Sequence, residues 1–398
     1  MKKIKFLALA ALTALSLVFA GCDTAASLDD DTTTPSSTTE ITDNGSAEEG
    51  TTTPTTPTAE ETEEPVITQT ITFIKNADDA TITTSTQTVN SGTATALTTA
   101  SALGLEYDGW TFYGWNTAAD GTGTAYADGA SITTTEDITL YARWFEGLPL
   151  TLEAINSGKI EIANVWSTLK YSKNGSKLSA YEEAITITTG DKVCFFATES
   201  ENHSNTYAMN IDCSGDCYLY GNIMSLVTFN TETGTWDRSS TTLSQTKTFS
   251  RLFYGNSHIK NHSEKAIELP ATTLTTSCYA YMFKGCTNLT RAPALPATTL
   301  TNAKSCYTRM FYGCTSLTSA PDLPATTLVD NCYSSMFEGC TKLNYIKCLA
   351  TNISANNCTK GWVSNVSSTG TFVKASNMSN WTEGEDGIPT GWTVENAE

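Results

Sequence analysis

The sequence is poor in positive charge and in histidine. It has 23 Lys and Arg residues against 42 Asp and Glu residues, a formal net charge of −19. Such an acidic surface repels nucleic acid, so we expect no nucleic-acid partner. A structural zinc site needs four ligands, and the three histidines, His203, His258 and His262, are scattered. The sequence therefore predicts no metal site.

The common catalytic motifs are also missing. The chain has no phosphate-binding loop, no HExxH, no GxSxG and no convincing pair of acids. Its many cysteines recur as equivalents without a periodic histidine, whereas a nucleophilic cysteine needs a unique environment and a nearby base. We expect a non-enzymatic protein with no catalytic residues and no cofactor.

Long apolar runs are absent after the first residues. Three lysines precede an apolar run from Phe6 to Ala20, which is too short for a bilayer helix and has the form of a secretory signal over residues 1–21. The end of the run, Phe19-Ala20-Gly21-Cys22, resembles the lipobox of bacterial lipoproteins. That resemblance implies lipid attachment at Cys22 and a membrane partner. An ordinary cleavable signal with a chance cysteine is the alternative.

Residues 22–65 contain almost nothing apolar. From Asp23 to Pro65 the chain has 12 acids, no Lys or Arg, 14 Thr and four Pro, which predicts a disordered acidic tether. The acids at Asp23 and at Asp29 to Asp31 resemble the export signals of surface-exposed lipoproteins in some Gram-negative bacteria. We therefore expect a lipid-anchored protein at the outer membrane or cell surface, exposed to the exterior.

Residues 66–146 alternate β-branched and aromatic residues with Gly, Asn and Asp turns, which predicts a small β module. The string YDGWTFYGWN from Tyr107, followed by ADGTGTAYADGASIT and LYARW, resembles the Listeria-Bacteroides repeat. The resemblance implies a β-grasp-like module that serves as a stalk or protein-contact domain on bacterial surfaces.

Two groups in this module have alternative interpretations. Acidic and hydroxyl side chains could form a calcium loop or belong to a Gly-rich hairpin without metal: Asp120, Thr122, Thr124 and Asp128. Four aromatic rings could form a sugar-stacking platform or fill the core, as their alternate spacing favours: Trp110, Phe112, Trp115 and Trp144.

Residues 147–247 read as strand, turn, strand, turn, with Asn174-Gly175 as the clearest hairpin signal, and predict an antiparallel β-sandwich. Cys213 and Cys217 in CSGDC leave three alternatives open, namely zinc, a hairpin disulfide, or separate thiols. Only the last two agree with the shortage of further ligands.

Residues 248–362 contain an internal repeat. Tyr279, Tyr307 and Tyr333 recur at 28 and 26 residues, and a period of this length predicts a solenoid whose rungs bury one another. The spacing of Tyr279, Met282 and Phe283 predicts a short helical turn that ends at Gly285. A strand from Leu289 to Leu295 should follow and pair with the next rung.

The pattern MFxGCTxLxxAPxLP resembles the BspA-like leucine-rich repeat, which implies a mainly β solenoid with short helical turns. The predicted repeat core contains Tyr279, Met282, Phe283, Cys286, Leu289, Tyr307, Met310, Phe311, Cys314, Leu317, Tyr333, Met336, Phe337, Cys340 and Leu343. Its cysteines fall into registers about one rung apart, which suits buried thiols and is also within disulfide range. Residues 363–398 should form a C-terminal cap. Four aromatics of the last rung and the cap should seal the last rung or, alternatively, bind sugar: Trp362, Phe372, Trp381 and Trp392.

The string LPATTL occurs at Leu269, Leu295 and Leu323. It resembles the LPxTG signal of sortases, but no copy has Gly at the fifth position. We expect its leucines to pack inward and its proline to turn the chain.

The predicted function is a lipid-anchored cell-surface protein that presents its leucine-rich-repeat solenoid for adhesion or for binding an extracellular protein or glycan. A glycan-capture lipoprotein of a nutrient-uptake system and a structural envelope protein are the alternatives. Repeats fix the core while exposed positions vary. The candidate contacts are the variable residues Thr290, Arg291, Thr318, Ser319, Asn344 and Tyr345.

Overall fold

The computed structural model describes residues 65–77, 84–198 and 208–398. The predicted signal, the lipid site at Cys22, the tether and His203 lie outside these residues. Within the described ranges the protein is mainly β and has almost no helix. No helix found there has the length and apolar character needed to cross a bilayer.

The first module is a five-stranded sheet with the order β2-β1-β7-β4-β5. β1 and β7 pair in parallel at its centre, and the other pairs are antiparallel. Its core has one side of β1, Ile71 and Phe73, packed with Trp115 and Leu140. The strands are β1 (Thr68–Ile74), β2 (Thr84–Asn90), β3 (Thr95–Ala96), β4 (Trp110–Asn116), β5 (Ala125–Tyr126), β6 (Ser131–Ile132) and β7 (Ile138–Glu146).

The second region has two sheets that share one hydrophobic core. A large sheet contains the order β11-β10-β13-β8-β15, and a small one the order β12-β9-β14. Asn174 and Gly175 both have positive φ, 51° and 72°, and are the central residues of a β-turn in which Ser176 N–H donates to the carbonyl of Lys173. This turn begins the connection from β10 to β11. The elements are β8 (Thr151–Ala154), β9 (Gly158–Ala163), β10 (Lys170–Lys173), β11 (Ser179–Ala180), β12 (Ile185–Ile187), β13 (Lys192–Phe196), β14 (Asn210–Cys213), β15 (Cys217–Asn222), the 3-10 helix η1 (Ile223–Leu226), β16 (Phe229–Asn230) and β17 (Thr235–Trp236).

The large sheet continues into the repeat array. Two short strands of the array both pair in parallel with β15, and the hydrophobic core runs without a break from Leu150 to Trp392. The core therefore crosses the predicted domain boundary at residues 247–248. The remaining strands are β18 (Ile259–Asn261), β19 (Ile267–Glu268), β20 (Tyr345–Cys348), β21 (Thr371–Lys374) and β22 (Thr393–Asn396).

The structure has overlapping β-turns where the sequence predicted a helical turn. Met282 N–H donates to the carbonyl of Tyr279, three residues back, and the same i to i−3 bond recurs every two residues. The amides between them donate to the next rung instead, as Phe283 N–H does to Met310. A left-handed residue at every fourth position, such as Tyr281 (φ 61°) and Gly285 (φ 80°), ends each turn and prevents i to i−4 bonding.

We call this segment the turn run, residues 275–286, with equivalents at 245–256, 303–314 and 329–340. Every predicted core residue in and after these runs is buried. Two columns of rings stack through the array at centroid distances of 5.6–6.0 Å: Phe249, Tyr279, Tyr307 and Tyr333 in one, and Phe253, Phe283, Phe311 and Phe337 in the other.

Both ring columns end at Trp362, which lies 6.2 Å from Tyr333 and 6.3 Å from Phe337. Trp381 stacks on its far side at 5.5 Å. Phe372 and Trp392 are buried beside them. These aromatics cover the end of the core, and three of the four have no exposed face for sugar stacking.

The LPATTL strings form a corner of each rung. The leading leucines Leu269, Leu295 and Leu323 are buried, and so are the alanines two residues later and the closing leucines. The threonines between them point outward at exposed positions. The strings therefore belong to the folded array.

Candidate binding surface

The six candidate contact residues lie side by side on successive rungs. Parallel bridges join Arg291 to Ser319 and Ser319 to Tyr345. β20, β21 and β22 continue the same ladder through Thr371 and Thr393. All six are exposed except Tyr345, which is half-buried. We call this row of six residues the exposed ladder.

Asn261 attaches the exposed ladder to β18. Its side-chain oxygen accepts the amides of Thr290 and Arg291, both at 2.9 Å, and its amide nitrogen donates to the carbonyl of Arg291 at 3.0 Å. The Asn261 side chain thus occupies the place of a neighbouring strand's peptide group. The guanidinium of Arg291 donates to the carbonyl of His262, so this residue also has an intramolecular role.

A groove of about 380 Å³ lies beside the first rungs of the ladder. Arg291 and Glu268 line it, together with the prolines of two LPATTL strings, Pro270 and Pro296. Burial raises the pKa of Glu268 above its usual range. The sequence-based reasoning missed Asn261 and Glu268 because neither recurs in the repeat.

A charged cluster lies on the large sheet near this groove. The hydroxyl of Tyr220 donates to Glu153 at 2.6 Å, and the ammonium of Lys265 lies 3.4 Å from the same oxygen. Burial acts to raise the pKa of Glu153, but the Tyr220 hydrogen bond and the positive charges of Lys192 and Lys265 lower it overall. Glu153 is therefore a stable carboxylate at neutral pH.

His262 is held as a neutral ring in this region. Its Nδ1 accepts the backbone amides of residues 264 and 265 at 3.0 and 3.1 Å, which leaves the proton on Nε2. Its ring contacts the edges of Tyr218 and Tyr220. Burial first and then the charge of Lys265 lower its pKa. The ring stabilises the turn whose carbonyl holds Arg291.

The cysteines in the described residues are free and buried. Three thiols at equivalent positions donate to the carbonyl of a phenylalanine in the preceding rung: Cys286 to Phe253 at 3.1 Å, Cys314 to Phe283 at 3.1 Å and Cys340 to Phe311 at 3.0 Å. Asn256 takes this position in the first rung and donates to Ile211 of β14 at 3.3 Å. The first rung is thereby joined to the small sheet.

Cys213 and Cys217 of CSGDC lie in contact as two thiols. A hydrogen bond between them lowers the pKa of Cys213 and raises that of Cys217. Cys217 also donates to the carbonyl of Gly215 at 3.5 Å. Among the described residues, no group of His, Cys, Asp and Glu side chains has the geometry of a metal site.

In the described residues of the first module, the side chains named for a calcium loop and for a sugar-stacking platform do not form either site. Asp120 accepts from the amide and hydroxyl of Thr122, at 3.0 and 2.7 Å, while Asp128 accepts from the amide of Ala100. Of the four candidate platform rings, Trp115 is fully buried and Trp110 is the most exposed at 39%. Tyr107 covers one face of Trp110 at 5.0 Å.

The first module has a recognisable relative. Residues 70–143 match the family model of the Listeria-Bacteroides repeat domain. This confirms the resemblance for that module, and the repeat occurs in surface proteins. Comparison of the chain with curated proteins and with solved structures found no match.

Proposed function

We propose that this is a lipid-anchored, non-enzymatic protein of the outer membrane or cell surface that presents its repeat array to an extracellular protein or glycan. One observation carries the proposal. The rungs keep the same buried core residues, while the bridged positions of the exposed ladder, Arg291, Ser319 and Tyr345, differ on every rung. In an array of this kind the buried residues maintain the fold, and the exposed residues can vary to suit a binding partner.

The other parts of the chain support a stalk and anchor. The first module has its first and last strands parallel at the centre of the sheet, the order expected of a β-grasp-like stalk module. The repeat pattern resembles the BspA-like leucine-rich repeat, and the stacked rings of successive turn runs support a solenoid. Cys22 would hold the lipid, and residues 23–65 would serve as the tether.

The glycan-capture alternative depends on exposed rings in the β modules. Trp110 is the one candidate ring with substantial exposure, and Tyr107 already stacks on it. The proposal that the repeat array is the binding surface is therefore better supported.

Anchoring is tested on intact cells that express the full chain. Wild type and Cys22→Ala are grown with a labelled fatty acid, and the cells are then treated with protease. We expect label in the wild type, none in Cys22→Ala, and digestion of the array from outside. Protection from protease, or equal labelling of the variant, would contradict the proposal.

Binding through the exposed ladder is tested with purified protein on arrays of extracellular proteins and glycans. Any captured partner is remeasured with a Thr318→Ala, Asn344→Ala double variant. We expect at least a tenfold loss of affinity, whereas Thr272→Ala, Thr298→Ala at the LPATTL corners should bind as wild type. Equal binding by both double variants would place the contact elsewhere.

A further inference from the structure

The turn runs present a second surface, which differs from the exposed ladder. Two outward columns alternate between cations and tyrosines over three rungs. The six residues are Arg251 and Tyr254 in the first run, Tyr281 and Lys284 in the second, and Arg309 and Tyr312 in the third. We call them the cation–tyrosine lattice.

Cations and rings are in contact throughout the lattice. The Lys284 ammonium lies 4.6 Å from the ring centre of Tyr312, 5.4 Å from that of Tyr254 and 5.8 Å from that of Tyr281. The Arg309 guanidinium lies 5.7 Å from the Tyr281 ring centre and donates to its hydroxyl at 3.0 Å. These contacts hold three flexible cations in fixed positions, one per rung.

The backbone under the lattice is unfavourable for these side chains. Arg251, Tyr281 and Arg309 have positive φ of 62°, 61° and 51°. This left-handed region favours Gly and Asn and is uncommon for long side chains. The equivalent position in the next run is Ser335, and Asn331 occupies another left-handed position there. Arg and Tyr therefore occupy positions that a small residue would fill with less strain, which indicates a role for their side chains.

The lattice is a concentration of positive charge on an acidic protein. The chain has a net charge of −19, yet three cations occupy three consecutive rungs. The ion pairs found among the described residues involve other lysines, arginines and histidines. Glu338 ends the pattern in the fourth run, at the position equivalent to Tyr312. The lattice is thus a patch of adjacent positive charges that attracts anions at short range.

We propose that the cation–tyrosine lattice binds a linear acidic polysaccharide that carries uronate or sulfate groups. A ligand with regularly repeated anions suits cations that recur once per rung. Cations cover the ring faces, and Tyr254 is the only large hydrophobic residue with substantial exposure among the six. Tyr and Arg are also common anchors of protein interfaces, so the acidic peptide control distinguishes a protein segment from a polysaccharide. The tyrosine hydroxyls and ring edges remain available to contact the hydroxyl groups of the sugar.

The proposal is tested by direct binding of the full chain to defined polymers. Polygalacturonate supplies uronate and heparin supplies sulfate, while dextran is the neutral control and polyglutamate the acidic peptide control. We expect binding to at least one of the two acidic polysaccharides, with affinity that falls at least tenfold between 50 and 300 mM NaCl. Which of the two binds identifies the anion. Dextran should not bind, and polyglutamate should bind at least tenfold more weakly.

Two triple variants remove equal charge from the array. Arg251→Gln, Lys284→Gln, Arg309→Gln changes the lattice, and Lys304→Gln, Lys342→Gln, Lys360→Gln changes exposed lysines outside it. We expect the lattice variant to lose at least 30-fold in affinity and the control less than threefold. Thermal unfolding and circular dichroism check both folds. If the lattice variant unfolds, Tyr281→Phe serves instead, because it removes only the hydroxyl that holds Arg309, and should weaken binding about threefold.

Three outcomes would overturn the proposal: no binding to either acidic polysaccharide, equal losses in the two triple variants, or polyglutamate binding as tight as the better polysaccharide. The last would reassign the lattice to an acidic protein segment. The Thr318→Ala, Asn344→Ala variant should bind the polysaccharide as wild type does. The binding proposals for the lattice and for the exposed ladder can therefore be contradicted independently.

Discussion

At the scale of single residues, the cysteines of the array act as buried hydrogen-bond donors. Each thiol of the Cys286, Cys314 and Cys340 column fills a small space and donates to a carbonyl of the preceding rung. Burial raises the pKa of Cys278, Cys332, Cys340 and Cys348 from 9.0 to about 12. These thiols are consequently protonated and unreactive in the folded state at neutral pH.

The raised thiol pKa values predict a loss of stability in alkali. The folded state keeps protons that the unfolded state releases above pH 9, so the free energy of unfolding is undiminished below pH 9 and falls as pH rises toward 12. Each such thiol should remove up to about 1.4 kcal/mol per pH unit in that window. Urea unfolding between pH 7 and 10.5 measures the slope.

Cys340→Ala provides the comparison. The variant should be less stable at pH 7 by about 1–3 kcal/mol, because it loses a buried donor and leaves a small void. Its stability should nevertheless fall less steeply above pH 9, since one titrating thiol is gone. A slope equal to that of wild type would show that Cys340 does not titrate as its burial implies.

At the scale of elements, the turn run depends on left-handed residues at regular intervals. Gly255, Gly285, Gly313 and Gly339 have positive φ and form a column in which successive glycines face one another. A Cβ on Gly285 would lie 3.5 Å from Gly255, which is ordinary contact, so backbone strain and not a clash decides the effect of substitution.

Gly285→Ala should therefore destabilise the protein by about 1–2 kcal/mol. Gly285→Asn should cost about half as much, because Asn tolerates the left-handed region and already occupies it at Asn331 and Asn357. Chemical denaturation of the two variants gives the difference. If Asn proves as harmful as Ala, steric contact between rungs and not φ is the controlling factor.

The turn run also shows how far the sequence could predict this element. The repeat period, the buried residues and the left-handed glycine follow from the sequence, because they depend on hydrophobic spacing. The prediction of a helical turn was wrong, because a burial pattern that repeats every four residues is close to the 3.6-residue period of a helix. Residues such as Tyr281 do not signal positive φ by their chemistry. The pairing of β15 with β18 and β19 was also missed, because strands of two or three residues have no periodicity.

The candidate surfaces could be predicted only in part. Aligning the rungs gave the exposed ladder, because variable positions after a buried leucine stand out. Asn261, which completes that ladder, does not recur in the later rungs and has no sequence signal. The cation–tyrosine lattice was present in the same alignment, but its pattern appears only when outward columns are known to be adjacent.

At the scale of the whole molecule, the described chain has two hydrophobic cores. One belongs to the first module and includes Trp115, whereas the other joins the two-sheet region to the array and continues to Trp392. Tyr113 crosses from β4 into the second core, where its hydroxyl lies 2.9 Å from that of Thr151. Two separate cores predict two cooperative unfolding units, not one per predicted domain.

Matched tryptophan variants separate these two units in the full chain. Trp115 and Trp362 are both fully buried, so replacing either by alanine should cost about 3–5 kcal/mol locally. Calorimetry should show two transitions in the wild type. Trp115→Ala should lower the temperature of the smaller transition only, and Trp362→Ala that of the larger only. If both variants shifted a single shared transition, contacts such as that of Tyr113 with Thr151 would couple the first module to the array, and the two would unfold as one unit.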